Sequence, residues 1–262
     1  MLLRCEAQYQ YRYVQGIKSP PSGSLIRGSA MDDAFDLNFT EKLRTGRDEP
    51  EPRLVEAYAA GFASRRGEVD WKQEEEQAPV VRDAGIAPLK IYRKDHCPSL
   101  TPAPGGVQPD LGMVSERLGI RIVQYGDLVT ADGLVIDRKT SKKSPPTDAK
   151  GTLRPSSFDH EMQVVSQRLG YEAVYHKRPK AVRLDYLVMT KDPKVVPVTV
   201  RVGSEQVALW ETMADRLERR LQWLNATSWA GAVPNRAHNL CSKRWCGYWT
   251  QCEKDYGGKV RE

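Results

Sequence analysis

The chain has 262 residues, 40% hydrophobic and 28% charged, a composition that is typical of globular proteins and excludes wholesale disorder. The longest apolar runs cover only a few residues, which excludes a transmembrane helix, and the polar, aromatic start does not resemble a secretory signal. We therefore expect a reducing cytoplasm and no membrane partner. The net charge is +6, with −3 in residues 1–80 and +9 in residues 81–262. This asymmetry favours a polyanionic partner, nucleic acid first, although solvated surface lysines explain it equally well.

Helical spacing dominates the first part of the chain. Residues 5–15 predict a short helix or an extended segment. Apolar residues at 3–4 spacing predict one amphipathic helix from Gly28 to Phe39 and, after a proline-containing break, a second from Leu54 to Phe62. Residues 97–112 are rich in proline and glycine and predict a loop.

The rest of the chain alternates between strand and helix patterns. Strands are predicted over 120–129 (broken at Gly126-Asp127), 133–140, 182–190 and 195–202, and helices over 158–176 and from the cap Ser204 to Leu224. The turn residues Ala131-Asp132-Gly133 predict a hairpin between the first two strands. This order predicts an α/β fold with a mixed central sheet flanked by helices.

Charged side chains emerge at one end of the predicted hairpin. Asp137 and Lys139 lie two apart in a strand, so they point to the same face, directly after the apolar residues 134–136. Asp127 lies across the hairpin at the same end. Unpaired charges there would be costly, which favours an ion pair or a bound cation. Two carboxylates that hold Mg²⁺ or Mn²⁺ and a lysine that orients a water suit phosphodiester hydrolysis. A charged rim on a surface hairpin explains the same residues.

Three of the five cysteines, Cys241, Cys246 and Cys252, lie within twelve residues. Clustered cysteines in a reducing compartment more often bind metal than form disulfides. Thiolates suit both zinc and iron–sulfur clusters, and Cys5, Cys97 or, for zinc, His238 would supply the fourth ligand. Buried thiols without metal are the remaining alternative.

Several segments appear in a recognisable order along nearly the whole chain: the segment from Cys5 to Val14, Gly28-Ser-Ala-Met-Asp32, Gln124-Tyr-Gly-Asp127, Ile136-Asp137-Arg138-Lys139-Thr140, Gln167-Arg-Leu-Gly-Tyr171 and the three late cysteines. This order resembles the RecB/AddB-type nucleases of the PD-(D/E)XK superfamily, especially the iron–sulfur CRISPR-adaptation exonucleases and their phage relatives. The resemblance implies one restriction-endonuclease-like domain over 1–262. Its parts would be a helical part (1–80), a catalytic core (112–203) and a C-terminal helix with the cysteines (204–262).

The resemblance also implies roles for individual residues. Metal ligands would be Asp127, Asp137, the Arg138 carbonyl and Asp32, which replaces a family histidine. The catalytic set would add Lys139, which orients the water, and Gln167 and Tyr171, which position the scissile strand. A [4Fe–4S] cluster, with zinc as the alternative, would be bound by Cys5, Cys241, Cys246 and Cys252. Two other positions depart from the family pattern: Gln124 replaces a glycine, and four residues instead of two separate the first two late cysteines.

We therefore expect a metal-dependent nuclease that degrades DNA with single-stranded or free ends as an exonuclease. A structure-selective or restriction-type endonuclease and a catalytically silent DNA-binding protein are the alternatives, and an oligomer or a recombination or CRISPR-adaptation partner stays open. Basic residues that follow the D-x-K strand are expected to contact the DNA backbone: Lys142, Lys143, Lys150 and Arg154.

Overall fold

The computed structural model describes residues 2, 4–115, 120–146, 158–238, 240–243 and 245–257. The chain divides into two compact units. The sheet unit comprises Ser22–Gly67 and Glu74–Trp210, and the terminal unit comprises Met1–Pro21, Glu68–Gln73 and Glu211–Glu262. The single domain with three parts stays a prediction. In the described part of the chain, no helix has both the length and the apolar character needed to cross a membrane.

The helices and strands are named in chain order. The helices are α1 Glu6–Tyr9, α2 Gly23–Thr45, α3 Glu51–Arg65, α4 Ala78–Asp83, α5 Ile86–Asp95, α6 Phe158–Tyr175, α7 Ser204–Ala226 and α8 Trp249–Tyr256. The strands are β1 Pro102–Val107, β2 Met113–Ser115, β3 Ile120–Ile122, β4 Leu128–Thr130, β5 Leu134–Ser141, β6 Ala181–Val188 and β7 Lys194–Val200. A π-helical turn follows α1 at Gln10–Val14.

A five-stranded mixed sheet organises the sheet unit, in the order β1-β4-β5-β6-β7. Strands β5 and β6 run parallel, and the other neighbours are antiparallel. Parallel strands require a crossover connection, and α6 supplies it. Its residues Val164 and Tyr171 pack against Val135, Val182 and Leu184 of the sheet. The predicted mixed α/β class is therefore confirmed.

The opposite side of the sheet receives α2, which contacts β1 and β5. The helix begins five residues before the predicted Gly28, because the Ser22 hydroxyl accepts a hydrogen bond from the Leu25 N–H at 3.2 Å and caps it. It ends at Gly46, whose φ of 75° suits glycine. Its buried face carries Phe35 and Phe39, both fully enclosed.

The prediction of a loop over 97–112 is wrong for Pro102–Val107, which forms β1. This strand lies at the edge of the sheet and pairs with β4 alone, so a proline with no N–H to donate is tolerated there. The predicted strand over 120–129 is divided, since β3 joins β2 in a separate two-stranded sheet. Helices α4 and α5 were not predicted, and each has a proline in its first turn, where the missing N–H costs little. Lys150 and Arg154 lie outside the described residues.

Gly170 of α6 lies where the helix meets the backbone of Leu111, and a Cβ there would collide with the Leu111 carbonyl oxygen. We expect Gly170→Ala to lower the free energy of unfolding by about 1–3 kcal/mol, as overpacked sites do. Urea denaturation measures it. The matched control is Gly67→Ala, where a Cβ would meet nothing within 4 Å. Equal effects of the two substitutions would contradict the close packing of α6.

Candidate active site

The carboxylate of Asp137 is held from two sides at the centre of the sheet. The residue is 3% exposed, and its Oδ2 lies 2.6 Å from Nζ of Lys139. Its Oδ1 accepts hydrogen bonds from the side-chain amides of Gln163 at 2.7 Å and Gln167 at 2.9 Å. Helix α6 thus fixes one carboxylate oxygen, and the lysine two residues along β5 neutralises the other.

Asp127 approaches Asp137 through the hairpin register. Leu128 pairs with Ile136, so the next pair outward is Asp127 with Asp137. The Asp127 carboxylate accepts a hydrogen bond from the backbone N–H of Arg138 at 2.5 Å. Burial raises the pKa of Asp127 to about 7; the Arg138 guanidinium opposes the rise, and the charges of Asp137 and Asp32 add to it. Two carboxylates therefore lie together where the β4–β5 ladder ends, halfway along β5.

Helix α2 brings a third and a fourth carboxylate to this place. Burial raises the pKa of Asp32 to about 6; the Arg138 guanidinium opposes this, and the charges of Asp36 and Asp137 add to it. The pKa of Asp36 is also raised to about 6, for the same first reason. Asp33, the next residue along the helix, instead forms an ion pair with Arg65 at 2.5 Å. The Gly28-x-x-x-Asp32 spacing therefore does place Asp32 beside the other acids.

Arg138 lies on the other face of β5 from Asp137, and its side chain is almost completely buried. Its guanidinium stacks over the ring of Phe35 at 4.9 Å. Its nitrogens lie 3.6 Å from Asp32, 3.5 Å from Asp36 and 3.9 Å from Asp127. Within the described residues none of these nitrogens has a hydrogen-bond partner. The guanidinium therefore acts on three carboxylates mainly through its charge.

Of the two residues of α6 that were predicted to belong to the site, Gln167 and Tyr171, only the first lies at the carboxylates. Gln167 reaches Asp137, but Tyr171, one turn further along, lies at the opposite end of β5. Its hydroxyl lies beside Gly133, and its ring stacks on Tyr175 at 4.4 Å. The structure therefore does not bring Tyr171 to the carboxylates. Gln163, which does reach them, was missed; its position four residues before Gln167, on the same helix face, was the available signal.

The donor set at this end of the sheet is chemically suited to a hard divalent cation. Asp127 and Asp137 offer carboxylate oxygens, which Mg²⁺ and Mn²⁺ prefer, in an enclosed place crowded with negative charge. Among the described residues, no three His, Cys, Asp or Glu side chains are positioned to hold a metal ion together. Lys139 contributes a positive charge at Asp137.

In the terminal unit, Cys5, Cys241, Cys246 and Cys252 line one cavity, together with His238. Burial raises the pKa of Cys252 to about 11, and the other three thiols contribute to the rise. N–H groups point at two of the sulfurs: Gln8 donates to Cys246 and the Asn235 backbone to Cys5. Cys97 is not part of this group, since it is buried in the sheet unit, where its carbonyl accepts a hydrogen bond from Lys42.

A mixed sheet that presents two carboxylates and a lysine at one end defines a site suited to metal-assisted phosphodiester hydrolysis. The model of the PD-(D/E)XK nuclease superfamily matches residues 1–253, and the chain belongs to that superfamily. Its members generally use Mg²⁺ or Mn²⁺. The RecB/AddB subtype and the kinship with CRISPR-adaptation exonucleases stay predictions.

The fold is also similar to a solved structure from Eubacterium rectale, described as a "putative exonuclease". The two chains are 12% identical, the match covers 90% of this chain and 80% of that one, and the TM-score is 0.57. At this level of identity the likeness shows the fold alone. No curated protein sequence matches the chain.

Replacement of Arg138 tests its role as the shared counter-charge. We expect Arg138→Met to lower the free energy of unfolding by about 3–5 kcal/mol, because removing one partner of a buried ionic group leaves the others uncompensated. Chemical denaturation at neutral pH measures this loss. Arg121→Met, which removes an exposed ion pair with Asp110, is the control and should change stability little. Equal stability of the two variants would contradict the proposed electrostatic role.

Proposed function

We propose that this member of the nuclease superfamily is a metal-dependent exonuclease that degrades single-stranded DNA from its ends. The observation that carries the proposal is the convergence of Asp127, Asp137 and Lys139 at one end of the sheet. Hydrolysis requires all three groups, whereas DNA binding alone requires none of them. A catalytically silent protein would have no need to keep two carboxylates enclosed together at a cost in desolvation.

In the proposed mechanism, Asp127 and Asp137 bind the divalent cation, and the predicted further ligands are Asp32 and the carbonyl of Arg138. The bound cation would supply polarisation of the phosphate and activation of a water. Gln163 and Gln167 hold Asp137 in one orientation through its Oδ1. Lys139 would orient the attacking water and offset the charge that grows on the phosphate.

Two observations support DNA ends as the substrate. The name of the Eubacterium rectale protein supports exonucleolytic action, and the fold of the two chains is similar. Exposed lysines after β5 suit contact with a phosphate backbone, and Lys142, paired with Glu76 at 2.7 Å, is one of them. An endonuclease on the same scaffold is the alternative outcome of the assay.

Asp137→Ala and Lys139→Ala should each lower the hydrolysis rate by at least about 10²–10³-fold, because each removes a preorganised electrostatic group. The assay uses end-labelled linear and circular single strands with Mg²⁺, and binding is measured separately and should survive. Asp132→Ala, in the turn at the other end of β5, is the control. Wild-type cleavage by Asp137→Ala would show that the site is wrong, and cleavage of the circle would show an endonuclease.

A matched pair of neighbours on α2 tests the third carboxylate. Asp32→Ala should abolish hydrolysis, whereas Asp33→Ala should keep it, since Asp33 pairs with Arg65 and not with the site. Asp32→His should shift the metal preference towards Mn²⁺, because imidazole is a softer ligand than carboxylate. The measurement is the rate as a function of each metal's concentration. Full activity in both alanine variants would exclude Asp32 as a ligand.

We also propose that the four cysteines of the terminal unit hold a [4Fe–4S] cluster. Each thiolate of such a cluster binds a different iron, so the four sulfurs lie further apart than around a single zinc ion, where all share one centre. Four thiols around one cavity, with N–H donors at two sulfurs, support this choice. The alternative is a zinc site, in which His238, which lines the same cavity, would be one of the ligands.

Protein purified without oxygen should be brown and contain about four iron atoms per chain, as a four-cysteine cluster requires. Cys246→Ala should lose the iron and the colour and become poorly soluble, because binding energy at such a site is also folding energy. Cys97→Ala is the matched control and should keep the iron. A colourless protein that holds zinc or no metal would overturn the cluster.

A further inference from the structure

One surface of the sheet unit carries an unusual row of exposed side chains. Alternate residues from β3 towards Asp127 face solvent: Arg121 exposes 48% of its side chain, Val123 is 61% exposed and Tyr125 is 51% exposed. Val114 of β2 pairs with Arg121 in the register and is 66% exposed. Because strand residues alternate between faces, these side chains share one face, the track.

The backbone of Tyr125 is tied directly to the catalytic residues. Its carbonyl oxygen lies 3.4 Å from Nε2 of Gln167, and the same nitrogen donates to Asp137 at 2.9 Å. Tyr125 also pairs with Asp110 in an isolated β-bridge. Asp127 follows two residues later, roughly 7 Å along an extended chain. These contacts fix the backbone that carries the exposed Tyr125 ring beside the carboxylates.

Packing in the hydrophobic core does not account for Tyr125, because its side chain is exposed. Of the aromatic side chains whose exposure is described in the sheet unit, Tyr125 is the only exposed one, and the others are buried or half-buried. A single exposed hydrophobic residue is ordinary, but Tyr125 lies on the same face as the exposed side chains of Val123 and Val114. Arg121, which is paired with Asp110, adds a cation to the same track.

We propose that the track is a binding subsite for unpaired nucleotides next to the scissile phosphate, and that Tyr125 stacks on a nucleobase there. The proposal rests on the proposed function and adds a residue that would bind its single-stranded substrate. Aromatic rings beside cations are how proteins bind single strands without sequence preference, because every base has a stacking face. Bases in a duplex are stacked and paired internally, so the ring would favour unpaired DNA.

The test is a double-mutant cycle on DNA binding, with Ca²⁺ present to prevent cleavage. A fluorescent oligothymidine is compared with a set of copies that each carry one abasic position. Tyr125→Ala should weaken binding of the intact strand by about tenfold, and one abasic position should have the same effect on the wild type. On that abasic strand, Tyr125→Ala should cost less than about twofold, since the stacking partner is already gone.

Two controls make the result specific to stacking. Tyr125→Phe keeps a ring and should bind like the wild type, and Leu43→Ala removes another exposed apolar side chain of the sheet unit and should change nothing. Additive losses at every abasic position, or no loss in Tyr125→Ala, would overturn the subsite. If the wild type still cleaves DNA when the subsite is overturned, the proposed nuclease function is retained without the subsite. A wild type that neither cleaves nor binds single strands would overturn both.

Discussion

Crowding of negative charge halfway along β5, where the β4–β5 ladder ends, is the constraint on which the site depends. The acids there are Asp32, Asp36, Asp127 and Asp137, and the cations that contact them are Arg138 and Lys139. With all four acids ionised, this group carries a net charge of −2, which a divalent cation would balance. Burial raises the pKa values of Asp32, Asp36 and Asp127, and neighbouring carboxylates add to each rise. A divalent cation bound among these acids would relieve the repulsion between them.

Successive side chains of β5 point to opposite faces of the sheet, so the charged groups are divided between the two faces. Asp137 and Lys139 face α6, where two glutamine amides fix the carboxylate. Arg138 faces α2 and lies over Phe35, with acids of both α2 and the hairpin around it. One short segment of β5 thus joins the helix that orients Asp137 to the helix that carries Asp32 and Asp36.

Rules that depend only on neighbouring residues were enough to predict the carboxylates and the lysine of the site. They did not predict the side chains around these residues. Strand alternation and the hairpin turn placed Asp127, Asp137 and Lys139 together, because both are set by neighbouring residues. Tyr171 could not be placed this way, since one helical turn carries it towards the other end of β5. Arg138 was expected to contribute its carbonyl, and its buried side chain depends on Phe35, distant in sequence. The edge strand β1 was missed because proline content says nothing about position in a sheet.

The central claim is that Asp127 and Asp137 together bind the catalytic cation. Crystals soaked in Mn²⁺ test this most directly, because manganese gives an anomalous signal that locates it without reference to activity. We expect a peak in contact with both carboxylates and loss of the peak in crystals of Asp137→Ala. A peak elsewhere, or no peak between the two carboxylates at saturating Mn²⁺, would contradict it.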